Sequence, residues 1–231
     1  MNTFLVFSSL IVILGGACFQ SINANGQFCI ETKNFTGQWY AVMATGCSDG
    51  KDCNIFTYNE VPCNCISAYF SPLLKDSSWL VYMNAINNQS LTLTVDMGGA
   101  SVTADDKTIQ GFILSRATMP LSVVSASECS ITKKVVGHKF NLRFRMTIIG
   151  SNVEHRYMIT TMSEIDKNNQ DKGKPLTVIW CRVRTPGKNT IWRQIVLHFK
   201  NLGLDIHKLK FINQIGCRYP TQKQYNEMFF C

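Results

Sequence analysis

Charge is what this sequence has least of. Only 16% of its 231 residues are Asp, Glu, Lys or Arg, against 45% apolar. That balance excludes a disordered chain and leaves ample material for a buried core. Long apolar runs are missing too: beyond the N-terminus none reaches the length a spanning helix needs. Acids are scarcer than bases, 15 against 23, for a formal charge of +8. The bases are scattered or locally paired, and no nucleic-acid motif accompanies them. They read as a solvated face, suited at most to weak binding of an anionic surface or a receptor. Matched metal-ligand clusters are also absent. Cys47-x5-Cys53 and Cys63-x-Cys65 are followed by no second pair with His ligands, so no metal site is expected.

Residues 1–24 hold no Lys, Arg, Asp or Glu, and Phe4 to Leu14 is apolar except for Ser8 and Ser9. Small and polar residues follow, the pattern of a secretory signal peptide cleaved after about Ala24. Residues 25–231 are then the mature chain, expected as one domain. Asn34-Phe35-Thr36 and Asn88-Gln89-Ser90 are glycosylation sequons. Ten Cys, nine of them after Ala24, fit an oxidising compartment. The expected location is therefore extracellular.

What remains reads as β-structure. Short apolar runs separated by turn signals lie at Gln38–Thr45, Asn54–Glu60, Cys65–Phe70, Trp79–Ala85, Ser90–Val95 and Thr108–Ser115. The remainder of Asp96 to Ser130 reads as an extended excursion. Lys139–Ile149 is the clearest strand: Phe140, Leu142, Phe144, Met146 and Ile148 alternate with polar and basic residues. Arg156–Met162 and Leu176–Arg184 follow, with a charged loop, Asp166 to Lys174, between them. The period then changes to 3.6. Ile191, Ile195, Phe199 and Leu202 form one apolar stripe, and Gly203 sits where a glycine would stop a helix, giving a helix over about 189–202. Asp205 to Ile212 looks extended. Nine candidates thus compete for eight barrel positions, plus one late strand.

The segment Asn34-Phe35-Thr36-Gly37-Gln38-Trp39-Tyr40 opens the first strand, and Arg182-Val183-Arg184-Thr185-Pro186 precedes the helix. This order resembles the lipocalins over nearly the whole mature chain. The Arg-x-Pro strand end, the helix and Ile206-His207-Lys208 before Cys217 look most like the apolipoprotein D and insecticyanin (bilin-binding) branch. The resemblance implies an all-β fold: an eight-stranded antiparallel up-and-down barrel with one C-terminal helix packed outside. It implies that Gly37, Trp39, Arg184 and Pro186 are structural, with the Arg184 guanidinium stacked on the Trp39 ring. Phe112-Ile113-Leu114-Ser115-Arg116 is closer to the literal family string, but no helix follows it. The family's disulfides carry over as Cys53–Cys217 and as Cys29 with Cys129 or Cys181.

A barrel of this size is wide enough for one small ligand. The expectation is a carrier or sequestering protein for a small hydrophobic molecule: a lipid, sterol, retinoid-like compound, tetrapyrrole or carotenoid. No cofactor is required, and biliverdin, a retinoid or a fatty acid would suit as bound ligand. Phe140, Leu142, Phe144 and Met146 are the expected cavity residues, with Tyr82 and Tyr157 placed to bond a ligand carbonyl or hydroxyl. A secreted interaction protein with a filled barrel and a basic surface is the alternative. A thiol-dependent isomerase using Cys63 or Cys65 is a third reading, but nothing nearby would depress a thiol pKa, so no enzyme is expected.

Overall fold

The computed structural model describes residues 32–45, 63–73, 78–87, 91–103, 107–121, 136–152, 156–186 and 190–230. The leader, the 54–60 run, Cys29, Cys47, Cys53, Cys129 and the Asn88 sequon lie outside them.

The expected architecture is present. Eight antiparallel strands follow one another as β1 (Gly37–Ala44), β2 (Cys63–Pro72), β3 (Ser78–Asn87), β4 (Thr92–Val102), β5 (Thr108–Pro120), β6 (Val136–Ser151), β7 (Tyr157–Ile165) and β8 (Asp171–Cys181). Each pairs with the next, and β1 pairs with both β2 and β8, which closes the sheet into a barrel. Closure leaves no open edge along the β1–β8 seam. Helix α1 (Thr32–Phe35) precedes β1; α2 (Thr190–Asn201) follows β8; a two-residue β9 (Lys210–Phe211) and α3 (Gln222–Phe230) complete the described chain.

The sequence periodicities explain these elements. On β6, Leu142, Phe144, Met146 and Ile148 are buried while the residues between them are half-buried or exposed. Side chains alternate across a strand, so one face enters the core. Arg145 on the other face bonds Asp171 at 3.0 Å, and Arg143 bonds Asn169 at 2.8 Å, holding the β7–β8 turn against β6. Helix α2 buries Ile195 and Phe199 against the outer wall and ends before Gly203, whose φ of +66° is the left-handed value a stop glycine supplies.

Four expectations need correction. The segment 96–102 is no excursion but the second half of β4, and β5 runs on to Pro120. The Gly98-Gly99 pair, read as a loop, is the site of a register shift. A Cβ on Gly98 would fall 1.7 Å from the Phe112 carbonyl oxygen, so the strands approach there only because glycine has none. The charged loop shrinks to a turn at Asp166–Gln170, since β8 begins at Asp171. The late strand is mostly a 3-10 turn, Ile206–Lys208, with β9 after it. The tail also carries α3, which the sequence reading did not anticipate.

The fourth correction concerns the disulfide. Cys217 is bonded to Cys65, not to Cys53. Cys65 sits at a register shift between β2 and β3 with φ of +57°, and its amide donates to the Asn213 carbonyl at 2.8 Å. That distortion turns the residue toward the tail. Cys181, the alternative partner for Cys29, is a buried free thiol.

The tail fills a gap in the wall. β1 leaves β2 after Tyr40 and pairs with β9 at Met43 and Ala44. Between the separated strands the Gln214 amide donates to Ala41 O at 2.6 Å and Ile66 O at 2.9 Å. Ile212 joins the inner apolar cluster. Replacing Cys217 by Ser should cost about 2–5 kcal/mol, read by urea denaturation. Peptide mapping without reductant should recover Cys65 joined to Cys217; recovery of Cys53 joined to Cys217 would sink the assignment.

Candidate functional site

The two faces of the barrel wall sort the candidate residues. The inner cluster takes in Leu142, Phe144 and Met146 of β6 together with Met83, Met158 and Trp180 from other strands. Three of the four expected cavity residues therefore share the inner wall. Phe140 lies on β6, and its side chain is outside the described set.

One end of this interior is plugged. Trp39 is 1% exposed, and its indole N–H donates to Phe35 O at 2.8 Å. Phe35 makes edge and tilted contacts with Phe70, Trp79 and Trp39, with ring centroids 4.8–5.5 Å apart. The cation over Trp39 is Arg182, 3.8 Å from the ring centroid, and not Arg184. Register explains the correction. Tyr40 pairs with Cys181 and Ala41 with Trp180, so the residue facing Trp39 across the seam is 182. Trp180 points inward, Cys181 outward, and Arg182 inward again. Its guanidinium donates to Gln38 O at 3.0 Å and Asn34 O at 2.6 Å. Burial pulls its pKa down to about 10, so it stays charged at neutral pH. Gly37 has φ of +97°, and a Cβ there would lie 3.3 Å from Arg182 Nη1. Glycine meets both demands.

Arg184 lies beyond the end of β8. It donates to Cys217 O at 3.0 Å and rests over Tyr219 and Tyr40, at 4.8 and 5.6 Å. It holds the tail and leaves the base to Arg182. Pro186, half-buried, ends the segment. The literal string's Arg116 is elsewhere again: it forms a two-pronged ion pair with Asp96, at 2.6 and 2.8 Å. Asp96 pairs with Met83 and so faces inward with it, 2% exposed. Ala100, which pairs with Trp79 at plug level, is four residues further along β4. The ion pair is therefore about 13 Å from that level along the strand. Thr94 and Thr118 bond each other nearby at 3.4 Å. At plug level, the Trp79 indole nitrogen is buried and has no acceptor among the described residues.

Both candidate tyrosines are on the outer face. Tyr82 stacks on Tyr225 of α3 with centroids 4.5 Å apart, and its hydroxyl donates to Asn226 at 3.3 Å. Burial, with Tyr69 adding to it, raises its pKa to about 12. Tyr157 lies under α2 with its hydroxyl 2.9 Å from His198 Nδ1; burial, then Cys181, pushes its pKa up. Neither reaches the interior. Asn84 joins this outer layer, accepting from Ser67 at 2.7 Å and donating to Tyr225 at 2.6 Å. Asn34 of the first sequon is half-buried.

No family model and no curated protein matches the chain. Solved structures do. A biogenic amine-binding protein (selenomethionine derivative) aligns with TM-score 0.56 at 12% identity, covering 85% of this chain and 90% of that one. Apocrustacyanin C2 aligns at 0.47 and 12%, covering 79% of each. A dog lipocalin allergen aligns at 0.45 and 11%, covering 79% of this chain and 97% of that one. At these identities the likeness is one of fold: the barrel and its outer helix have the lipocalin architecture.

Two outcomes are expected of the base. Arg182→Ala removes a desolvated cation–π contact and strands two carbonyls, costing about 3–5 kcal/mol. Arg184→Ala should cost about 1 kcal/mol. Chemical denaturation ranks them, and the reverse order would return the plug to Arg184. The Cys181 thiol is pushed from 9.0 to about 12 by burial. A folded-state pKa above the unfolded one gives stability that is complete below pH 9 and lost as pH rises toward 12. The loss should reach roughly 1 kcal/mol by pH 10, and Cys181→Ala should reduce it in urea melts at pH 8 and 10.

Proposed function

We propose that this chain is a carrier or sequestering protein that holds a small hydrophobic molecule inside its barrel. The observation that carries the reading is the inner wall itself. It is apolar, sealed at one end by Trp39 and Arg182, and bears its charged pair, Asp96–Arg116, well away from that seal. Binding would come from removing apolar ligand surface from water, at roughly 25 cal/mol per Å². The ion pair and the Trp79 N–H offer a few polar groups to orient the ligand, as small-molecule sites do. Four inner methionines, Met83, Met146, Met158 and Met162, give the wall adaptable shape. Lipids, sterols, retinoid-like compounds, tetrapyrroles and carotenoids are the classes that suit it. The structural neighbour named for binding biogenic amines supports a small-molecule role for such a barrel.

Binding, not catalysis, is the reading: of the two candidate nucleophiles Cys65 is consumed in a disulfide, and the side chain of Cys63 lies outside the described residues. A disulfide that ties the tail to β2 suits an oxidising compartment. With the leader and the sequons, it supports export of a glycosylated protein. The Arg-x-Pro end, the helix and the following segment keep the apolipoprotein D and insecticyanin branch as the favoured placement.

Native mass spectrometry and absorption spectra of the protein from its source test the proposal. The expected result is a bound hydrophobic molecule, or uptake of one on addition. Leu142→Trp, which adds bulk to the inner wall, should lower affinity about tenfold, while Tyr82→Phe and Tyr157→Phe should leave it unchanged. A barrel that neither carries nor takes up any hydrophobic ligand would be a filled one, and the carrier reading would fall.

A further inference from the structure

The charges of the described chain are unevenly paired. Arg116, Arg145, Lys172 and Lys223 each contact an acid. Between residues 190 and 218 the sequence has five Lys or Arg and one acid, Asp205. Arg193, Lys200, Lys208, Lys210 and Arg218 are exposed, and none has an acidic partner among the described residues. Asp205 is spent locally, accepting from the His207 amide at 2.9 Å.

The same stretch carries most of the exposed apolar bulk. Of the eleven large apolar side chains exposed among the described residues, six lie here: Val196, Leu197, Leu202, Leu204, Phe211 and Ile215. Phe211 and Ile215 are 72% and 79% exposed, the highest values of the set. Folding brings the two halves of the stretch together. Trp192 of α2 and Phe211 of β9 lie with ring centroids 5.8 Å apart. Val196 is one turn from Trp192, on the flank left when Ile195 and Phe199 turn inward. Exposed aliphatic and aromatic groups among unpaired cations form the pattern of a surface that rests in a membrane interface. The apolar groups enter the headgroup boundary while lysines reach the anionic lipids. Each such cation near an anionic leaflet adds to the attraction, and the effect fades within a Debye length.

We propose that the outer face formed by α2, β9 and the turn at Ile215 docks the folded protein on anionic membrane surfaces. This face lies outside the barrel, so the proposal stands independently of what the interior holds.

The test is co-sedimentation of the full-length mature protein with vesicles of phosphatidylcholine alone or with about 30% phosphatidylserine. Binding to the anionic vesicles should exceed binding to neutral ones at least tenfold at ~20 mM salt and fall steeply at ~0.5 M. The double variant Phe211→Ser, Ile215→Ser should bind about tenfold more weakly. Lys208→Glu with Lys210→Glu should abolish binding. Circular dichroism and melting temperature should show all variants folded, since every substituted residue is exposed. Equal binding to both vesicle types, or none, overturns the proposal. So does binding that is salt-sensitive but indifferent to the Phe211 and Ile215 changes, which would describe a purely ionic partner such as a sulfated polysaccharide. Uptake of a hydrophobic ligand, measured on the same variants, should be unaffected, so a failed carrier reading and a failed docking face give different results.

Discussion

The contact between the Arg182 guanidinium and the Trp39 ring is the constraint on which the rest of the molecule is set. It joins three parts of the chain at once: α1 through the Asn34 carbonyl, β1 through Gln38 and Trp39, and the end of β8. A barrel has one seam that no hairpin closes, where the first strand meets the last. Here that seam is locked at its base by a desolvated cation, two charge-assisted hydrogen bonds and an aromatic cluster. Removing water from the guanidinium is unfavourable, as its lowered pKa records. The ring face and the two carbonyls offset part of that cost, so the pair must be assembled whole. Gly37 is the local condition for it, because a side chain there would crowd the cation.

Much of this was legible in the chain. The period-two run on β6 and the 3.6 period of α2 gave the correct faces, because in each case one side meets solvent. With 54–60 outside the described residues, the other eight early candidates correspond to the eight barrel strands. The failures share a physical origin. Trp79 to Ile86 is buried or half-buried without interruption because α3 covers the outer face of β3. Alternation then disappears, and nothing in the sequence distinguishes Tyr82, outside, from Met83, inside. Tyr157 is hidden in the same way beneath α2. Arg182 and Arg184 have the same strand parity, so periodicity alone could not separate them; only the pairing of Tyr40 with Cys181 does. Cys65 was similarly invisible as a disulfide partner, because what turns it to the tail is a backbone irregularity.

The barrel is thus insulated on two sides. α2 covers the wall around Ile159 and Ile179, and α3 covers the wall around Leu93 and Met119. Each covering layer carries its own polar bond, part-buried between Tyr157 and His198 in one and buried between Asn84 and Tyr225 in the other. These polar groups hold the helices in place, while the interior keeps its polarity to Asp96 and Arg116 and a few hydroxyls and indoles. Division of labour between the faces of one sheet lets the outside be specific in packing while the inside stays mostly oily.

The insertion of residues 210–217 between β1 and β2 bears on how such a molecule is made. Gln214 bridges Ala41 to Ile66, partners 173 and 148 residues away. Neighbouring hairpins can form as the chain emerges from the ribosome. The part of the β1–β2 seam beyond Tyr40 cannot, because its missing piece is synthesised after all eight strands. Non-local closure of this kind slows folding and leaves apolar surface uncovered meanwhile. Until that segment is made, nothing bridges Ala41 to Ile66, so the last part of the wall to be sealed is the part that the end of the chain supplies.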